Sequence, residues 1–220
     1  MKTTPKPIAA RRRLQTAFAV ILGTNEIASA VAVYLTRAGW STVLSHDPDP
    51  PCIRRRMAFH DALFGDPAEV DGLKAENAET SLDIAALLAR GDCAVVTRLG
   101  LLDLIPMSTI HILIDARMQK HQITPDIRHL ARLTVGIGPE FTVAGNCDIA
   151  IETHPSKNGT ILSSGRTGRA DGKARLLAGS GAFRLFGSPG PLALRGRDRN
   201  SGLQEFPDWS SQWCGGCCTV

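Results

Sequence analysis

Two short apolar runs flank a helical segment near the start of the chain, and together they restrict the fold strongly. The runs are FAVIL (18–22) and STVLS (41–45), and both have the length of a buried strand. Between them, NEIASAVAVYLTRAG (25–39) repeats apolar residues at helical spacing and ends in a glycine. The crossover of a strand–helix–strand unit makes its two strands parallel. The sequence therefore predicts a parallel sheet that begins with this unit.

The alternation of strand and helix patterns continues along the chain. Further elements are predicted as helices at 52–65 and 80–91, a helical turn at 101–106, and strands at 93–98, 110–117, 133–138, 148–153 and 160–165. Ser81 is the expected cap of the second of these helices. This order predicts an α/β fold with a Rossmann-like parallel sheet, followed by a short β-rich segment and a disordered tail.

The excess of positive charge lies at the C-terminal end. The chain has 25 Lys and Arg against 21 Asp and Glu, and residues 166–220 hold eight and four of these. The remaining body is neutral and lacks the clustered basic surface that binds nucleic acid. No stretch approaches the roughly 20 apolar residues that span a bilayer. The six cysteines form neither a disulfide framework nor a complete zinc pattern, so we expect a cytoplasmic protein without bound metal.

Both ends of the chain are expected to lie outside the folded body. The predicted segments are a flexible basic leader (1–16), a Rossmann-like domain (17–120), a β-rich segment packed on it (121–165) and a low-order basic tail (166–220). Asn25 and Glu26 interrupt the apolar run and disfavour a signal peptide at the start. From about Pro191, glycine, arginine and cysteine replace the aliphatic residues of a core. We expect an out-of-frame reading there, with a native disordered tail as the alternative.

Gly23 occupies the position of a phosphate-binding glycine between the first strand and the first helix. In dinucleotide folds, successive glycines allow a tight turn, close approach of a pyrophosphate and helix packing. Here Asn25, which tolerates a left-handed backbone, stands in the second position, and Ser29 or Ala30 in the third. Glu26 would repel a phosphate at the helix start. A strand–turn–helix without a ligand is the equal alternative.

Charged residues lie at the ends of two of the predicted strands and at the start of a predicted helix. Asp47 ends the second strand, 24 residues after Gly23, where an acid can bind ribose hydroxyls; an ordinary loop aspartate is the alternative. Arg54 and Arg55 could hold an anionic group or form a solvated helix face. Asp115, Arg117 and Lys120 gather at the carboxyl end of the strand at 110–117, where open α/β sheets bind ligands; a structural ion cluster is the alternative.

A constrained turn in GIGPEFTVAGNCDIAIET (136–153) supplies the last candidates. Gly138 and Pro139 lie between two apolar strands, and turns of this composition shape binding loops. A tight hairpin explains the same residues equally well.

Four segments in this order resemble the YqeB family, the selenium-dependent molybdenum hydroxylase system proteins. They are ILGTNEIASA (21–30), CIRRRMAFHDALFG (52–65), LIDARMQK (113–120) and GIGPEFTVAGNCDIAIET (136–153). The resemblance covers about residues 18–165. It implies an accessory protein for molybdenum hydroxylases such as xanthine dehydrogenase, with the apo-hydroxylase as partner. The family motif opens Gly-x-Gly-Asp, whereas this chain has Asn25 and Glu26 in the last two places.

These residues, together with the resemblance, lead to three hypotheses of function. The leading hypothesis is a non-redox maturation factor that binds a nucleotide or molybdopterin-type ligand, such as the molybdenum cofactor. Anionic groups would be held by Arg54, Arg55, Arg117 and Lys120, and Asp47 and Asp115 would orient sugar or pterin groups. The alternatives are a nicotinamide-dependent oxidoreductase that binds NAD(P) through Gly23 and Asp47, and a protein-binding chaperone without a small ligand. His46, His60 and His111 stand singly in the sequence, which favours structural or exposed positions over a role as ligands.

Overall fold

The computed structural model describes residues 18–120, 122 and 124–170. In this part of the chain the strands are β1 (Phe18–Leu22), β2 (Ser41–Ser45), β3 (Ala68–Val70), β4 (Leu73–Ala78), β5 (Ala94–Thr97), β6 (Ile112–Asp115), β7 (Leu133–Ile137), β8 (Ile149–Ile151) and β9 (Ile161–Leu162). The α-helices are α1 (Glu26–Arg37), α2 (Ser81–Arg90) and α3 (Leu101–Leu104), and 3-10 segments lie at Arg55–Met57, Phe59–Phe64 and Ile105–Met107.

These strands form one sheet in the order β3-β4-β5-β2-β1-β6-β7-β8-β9. The antiparallel pairs are β3/β4 and β8/β9, and the strands between them pair in parallel. β1 lies between β2 and β6, so the chain builds outward from β1 in both directions. The predicted α/β fold with a parallel sheet is therefore confirmed, and β7 to β9 extend that same sheet.

Apolar side chains cover both faces of the sheet. One cluster contains Ile21, Leu44 and Val96 of the strands with residues of α1 and of the 3-10 segment at Phe59–Phe64. The opposite cluster contains side chains of the same strands together with Ile84 of α2 and Leu104 of α3. Alternate residues of each central strand point to opposite faces, which explains why the strands are continuous apolar runs.

The predicted α-helix at 52–65 is wrong, because this segment forms two 3-10 turns. Ala58 has an extended backbone (φ −139°) between the two turns. The amide of Phe59 donates to Ser29 Oγ (2.9 Å) instead of to a helical carbonyl. The contact with α1 thus interrupts the helical hydrogen-bond pattern. Gly65, in the left-handed region (φ 80°), ends the second turn as predicted.

Two further expectations are corrected at the β3–β4–α2 edge. No strand is predicted between residues 66 and 79, yet β3 and β4 form a hairpin there. Its loop is Asp71-Gly72, with both residues at positive φ (51° and 77°), and this dipeptide is typical of two-residue hairpins. The cap of α2 is Thr80 rather than Ser81. Thr80 and Asp83 exchange hydrogen bonds in a capping box, which satisfies two amides at the helix start.

The loop between β7 and β8 is not a tight hairpin, because these two strands are parallel. The loop packs instead against residues near the end of the described chain. Thr167 is buried and donates its amide to the carbonyl of Phe141 (2.9 Å), and the amide of Gly168 donates to Glu152 Oε2 (2.6 Å). Residues 166–168, which belong to the predicted tail, therefore contribute to the packed body.

The predictions for the basic leader (1–16) and for the tail beyond residue 170 lie outside the described residues. Within those residues, none of the helices combines the length and the apolar character needed to cross a membrane.

Candidate functional site

The carboxyl ends of β1 and β6 define a switch point in the sheet. The chain leaves β1 toward β2 on one side, whereas β6 pairs with β1 on the other side. In open α/β sheets this reversal opens a crevice in which ligands bind. Gly23 lies at its base with φ 107°, and a Cβ there would come within 3.3 Å of the Cα of Arg117. Glycine is thus required both by the turn and by the close approach of the two loops.

Asn25 occupies the start of α1 with its own side chain. Its backbone is extended (φ −74°) rather than left-handed. Oδ1 accepts hydrogen bonds from the amides of Ile27 and Ala28 (3.0 Å each), and Nδ2 donates to the carbonyl of Ala116 (2.7 Å). These two amides are among the unpaired donors with which a helix start binds phosphate. In this conformation Asn25 takes the place of the phosphate and joins the loops after β1 and β6.

The residues considered for the third glycine role lie in different surroundings. Ser29 is buried, donates its hydroxyl to the carbonyl of Asn25 (2.8 Å) and accepts from the amide of Phe59. Ala30 is exposed, so close packing of α1 does not depend on it.

Arg117 joins two carboxylates across the crevice. Its Nε and Nη2 donate to the two oxygens of Asp115 (3.0 and 2.7 Å), and its Nη1 donates to Asp47 Oδ2 (3.1 Å). The Asp115 side chain is only 4% exposed, against 26% for Asp47. Burial opposes the charge of Arg117, but the hydrogen bonds to Asp115 and Asp47 outweigh it and raise its pKa. The charge of Arg117 is therefore balanced within the protein, and Asp47 is its more accessible partner.

The crevice itself is small. A cavity of about 10 Å³ is lined by Gly23, Thr24, Asn25, Asp47, Asp49, Pro50, Cys52 and Arg117. This volume holds about one water molecule. A nucleotide-sized ligand fits only if the loop at 47–52, which forms one wall, moves away from Arg117.

The remaining predicted cations lie on the surface. Arg54 pairs with Glu26 (3.2 Å) beside the start of α1, and Arg55 pairs with Asp61 (2.5 Å). Both arginine side chains are more than half exposed, and Lys120 is exposed as well. None of these three cations lines the cavity.

Gly138 and Pro139 are buried after β7 and also lie outside the cavity lining. Gly138 has φ 124°, and a Cβ there would lie 3.1 Å from Met118 Sδ. The loop after β7 thus packs against the loop after β6. Of the predicted site residues, the structure brings Gly23, Asn25, Asp47, Asp115 and Arg117 together.

A cluster that the sequence analysis missed lies beside the crevice. The buried hydroxyl of Thr24 forms hydrogen bonds with Nδ1 of His46 (3.1 Å) and Nδ1 of His60 (3.0 Å). The two imidazole centroids are 5.1 Å apart. Thr24 and His46 directly follow β1 and β2, and that placement at one sheet edge was a signal for their proximity. His60 gave no such signal, because it reaches the cluster through the 3-10 segment.

These histidines predict a pH dependence of stability. Burial and nearby positive charge lower the pKa of both imidazoles in the folded protein from the ordinary value of 6.5. At a pH between the folded pKa and 6.5, the unfolded chain therefore binds more protons than the folded protein does. Their contribution is present above about pH 6.5 and is lost as the pH falls toward the folded pKa. We expect the free energy of unfolding, measured by urea in phosphate-free buffer, to fall between about pH 7.5 and 5. The His46→Gln/His60→Gln double variant should show a shallower fall; an unchanged slope would contradict the assignment.

The fold and the crevice define a doubly wound α/β protein with a polar, glycine-based switch point. The chain is similar to the Uncharacterized protein YqeB of Escherichia coli (strain K12), with 29% identity over 180 residues. The match covers 80% of this chain but 32% of the relative, so the chain spans about a third of that protein's length. This similarity supports a relationship to YqeB-like proteins. No protein-family description matches the chain, and no solved structure matches it significantly.

Proposed function

We propose that the protein serves the maturation of molybdenum hydroxylases of the xanthine dehydrogenase type by binding an anionic ligand, of nucleotide or molybdopterin type, at the switch point. The observation that carries the ligand site is the convergence of Gly23, Asp47 and Arg117 on one crevice. The pathway rests on the motif resemblance, which the similarity to YqeB supports only at the level of the family.

The charges around Arg117 suggest how such a ligand would enter. Asp47 holds Arg117 through a single hydrogen bond and is the more exposed of its two carboxylate partners. An anionic group can replace Asp47 on Nη1 while Asp115 keeps its two hydrogen bonds to Nε and Nη2. Asp47, once released, can accept hydrogen bonds from ligand hydroxyl or amino groups. The exchange keeps the buried guanidinium paired throughout, so it avoids an uncompensated charge.

A binding role fits the start of α1 better than nicotinamide-dependent redox chemistry does. Dinucleotide enzymes of this fold place a pyrophosphate on the first amides of the helix. Here the amides of Ile27 and Ala28 already donate to Asn25, and Glu26 adds a negative charge at the same end. The oxidoreductase alternative keeps Gly23 and Asp47 in its favour, and it requires Asn25 to leave this position.

Deleting the gene in its own host tests the proposed function. We expect molybdenum hydroxylase activity and the molybdenum content of the purified hydroxylase to fall, with hydroxylase protein still present. A molybdenum enzyme of another class should keep its activity. Arg117→Lys keeps the charge but loses the two-pronged geometry, so it should restore less activity than the surface control Arg37→Lys. Full hydroxylase activity in the deletion strain, or equal losses in both enzyme classes, would contradict the proposal.

A further inference from the structure

The cluster of Thr24, His46 and His60 presents two imidazole nitrogens to its surroundings. Both Nδ1 atoms are used by the Thr24 hydroxyl. Nε2 lies on the other side of each ring, and neither Nε2 has a hydrogen-bond partner among the residues that the structure describes. Both rings are partly exposed. Two histidines thus share one buried hydroxyl and keep their outer nitrogens free to bind a ligand.

The shared hydroxyl couples the protonation of the two rings. A hydroxyl has one proton to donate and can also accept. Because Thr24 is 3% exposed, its hydrogen bonds are all satisfied only if it donates to one Nδ1 and accepts from the other Nδ1–H. In the neutral pair, therefore, one Nε2 carries a proton and the other carries a lone pair. The pair offers one donor and one acceptor, and protonation at the free lone pair gives two donors.

An unpaired cation stands beside the histidines. Arg98 follows β5, is exposed, and has no carboxylate partner among the described residues. Its guanidinium carbon lies 5.0 Å from the centroid of the Phe64 ring. The centroids of the Phe64 and His60 rings are 5.4 Å apart. Cation–π contact of this kind holds a guanidinium in place without neutralising it. Phe64 is 58% exposed, both imidazoles are half-buried and Arg98 is exposed, so the cluster reaches the protein surface.

The other charges near the two rings are already paired. Asp47 faces His46 and is bound by Arg117, and Asp61 faces His60 and is bound by Arg55. Arg98 acts on both rings, Arg55 acts on His60, and these positive charges help burial to lower the pKa of His60. Arg98 is left as the uncompensated charge, so the local field favours an anion.

We propose that His46, His60 and Arg98 form a binding site for a phosphate-type oxyanion, either free phosphate or the phosphate group of a larger ligand. Arg98 supplies a charge-assisted donor, and one imidazole supplies Nε2–H. The second Nε2 accepts from the P–OH of monobasic phosphate, or takes a proton from solution and donates to the dianion. In either case the complex contains one more proton than the neutral histidine pair and the phosphate dianion contain together. The affinity for phosphate therefore increases as the pH falls from about 8 to 6. The site is independent of the proposed role in hydroxylase maturation, because its side chains are not those that hold Arg117.

The test is a titration of the full-length, ¹⁵N-labelled protein with inorganic phosphate. Long-range ¹H–¹⁵N correlation reports the protonated nitrogen of each imidazole directly. Without phosphate at alkaline pH, we expect one ring protonated at Nδ1 and the other at Nε2. Phosphate should shift both rings and raise the pKa of each. Arg98→Gln should weaken phosphate binding about tenfold or more. Arg56→Gln removes the same charge from an exposed residue of the 3-10 segment Arg55–Met57, and this variant should bind phosphate as the wild type does.

The same titration with adenosine monophosphate identifies the source of the anion. Binding about tenfold tighter than that of phosphate would show that the site takes a phosphate carried on a larger ligand, and equal binding would show that it takes free phosphate. No response of either histidine to phosphate, or equal weakening by Arg98→Gln and Arg56→Gln, would overturn the proposal. A response to Zn²⁺ alone, weakening on acidification, would overturn it in favour of a metal site.

Discussion

Replacing Arg117 with methionine is expected to lower the free energy of unfolding by about 3–5 kcal/mol. The substitution keeps most of the side-chain volume but removes the partner of the buried Asp115 carboxylate, which is 4% exposed. Of the hydrogen bonds that residue 117 donates to Asp115, only the one from its backbone amide remains in this variant. The Asp115 carboxylate is then a buried charge without a compensating cation, which destabilises the folded state. Urea unfolding followed by circular dichroism measures the change.

The matched control is Arg37→Met. Arg37 also forms an ion pair, with Asp71 (2.6 Å), but both side chains are at least half exposed. Exposed pairs contribute only about 0–1 kcal/mol, so this variant should remain close to the wild type. Equal losses in the two variants would show that the Arg117 bridge is not the buried element described here.

Gly136→Ala is expected to destabilise the protein by about 3 kcal/mol, at the upper end for overpacking of a core. A Cβ at residue 136 would lie 2.1 Å from Cδ1 and 2.2 Å from Cγ of Phe141. Gly136 belongs to β7 and pairs with Asp115 on β6 and with Ala150 on β8, so the backbone has strands on both sides that resist movement. The ring of Phe141, which is 4% exposed, has to leave its position.

A double-mutant cycle separates this clash from a general effect of alanine in a strand. Phe141→Leu removes the ring atoms that meet the new methyl group, at the cost of lost packing. The Gly136→Ala/Phe141→Leu variant should therefore be more stable than the sum of the single effects predicts, by about 1–2 kcal/mol. Additive losses would contradict the packing of Phe141 on Gly136.

The sequence predicted the central strands because their signals are local. β1, β2, β5 and β6 are short apolar runs, because their residues are buried on both faces of the sheet. A continuous apolar run of this length is typical of a central strand in a parallel sheet. β3 and β4, at one end of the sheet, are harder to predict, because their residues alternate only weakly between buried and exposed. Their Asp71-Gly72 loop nevertheless carried a hairpin signal. The two 3-10 turns were not predictable from periodicity, because the hydrogen bond from the Phe59 amide to Ser29 determines where the first turn ends and the second begins.

The sequence could predict which residues lie near the site but not their backbone conformation or their side-chain partners. Gly23, Asp47, Asp115 and Arg117 could be placed at one sheet edge, because each lies at or just after the carboxyl end of a predicted strand. The φ angle of Asn25 and its capping role could not be read from residue type, since asparagine both caps helices and adopts left-handed turns. The pairing of Arg117 with both aspartates depends on a contact between two loops that are 70 residues apart in the sequence. Thr24, His46 and His60 likewise meet only after β1 and β2 pair.

Native mass spectrometry of the protein purified from its own host tests most directly whether the switch point binds an anionic ligand. We expect the wild type and Arg37→Lys to carry a bound species with the mass of a nucleotide or a pterin. Arg117→Lys should carry less of it, with affinity about tenfold or more weaker when the released species is added back. Wild-type protein without any bound species, and without a mass shift when nucleotides or molybdenum cofactor are added, would contradict the account and favour a chaperone that binds only protein.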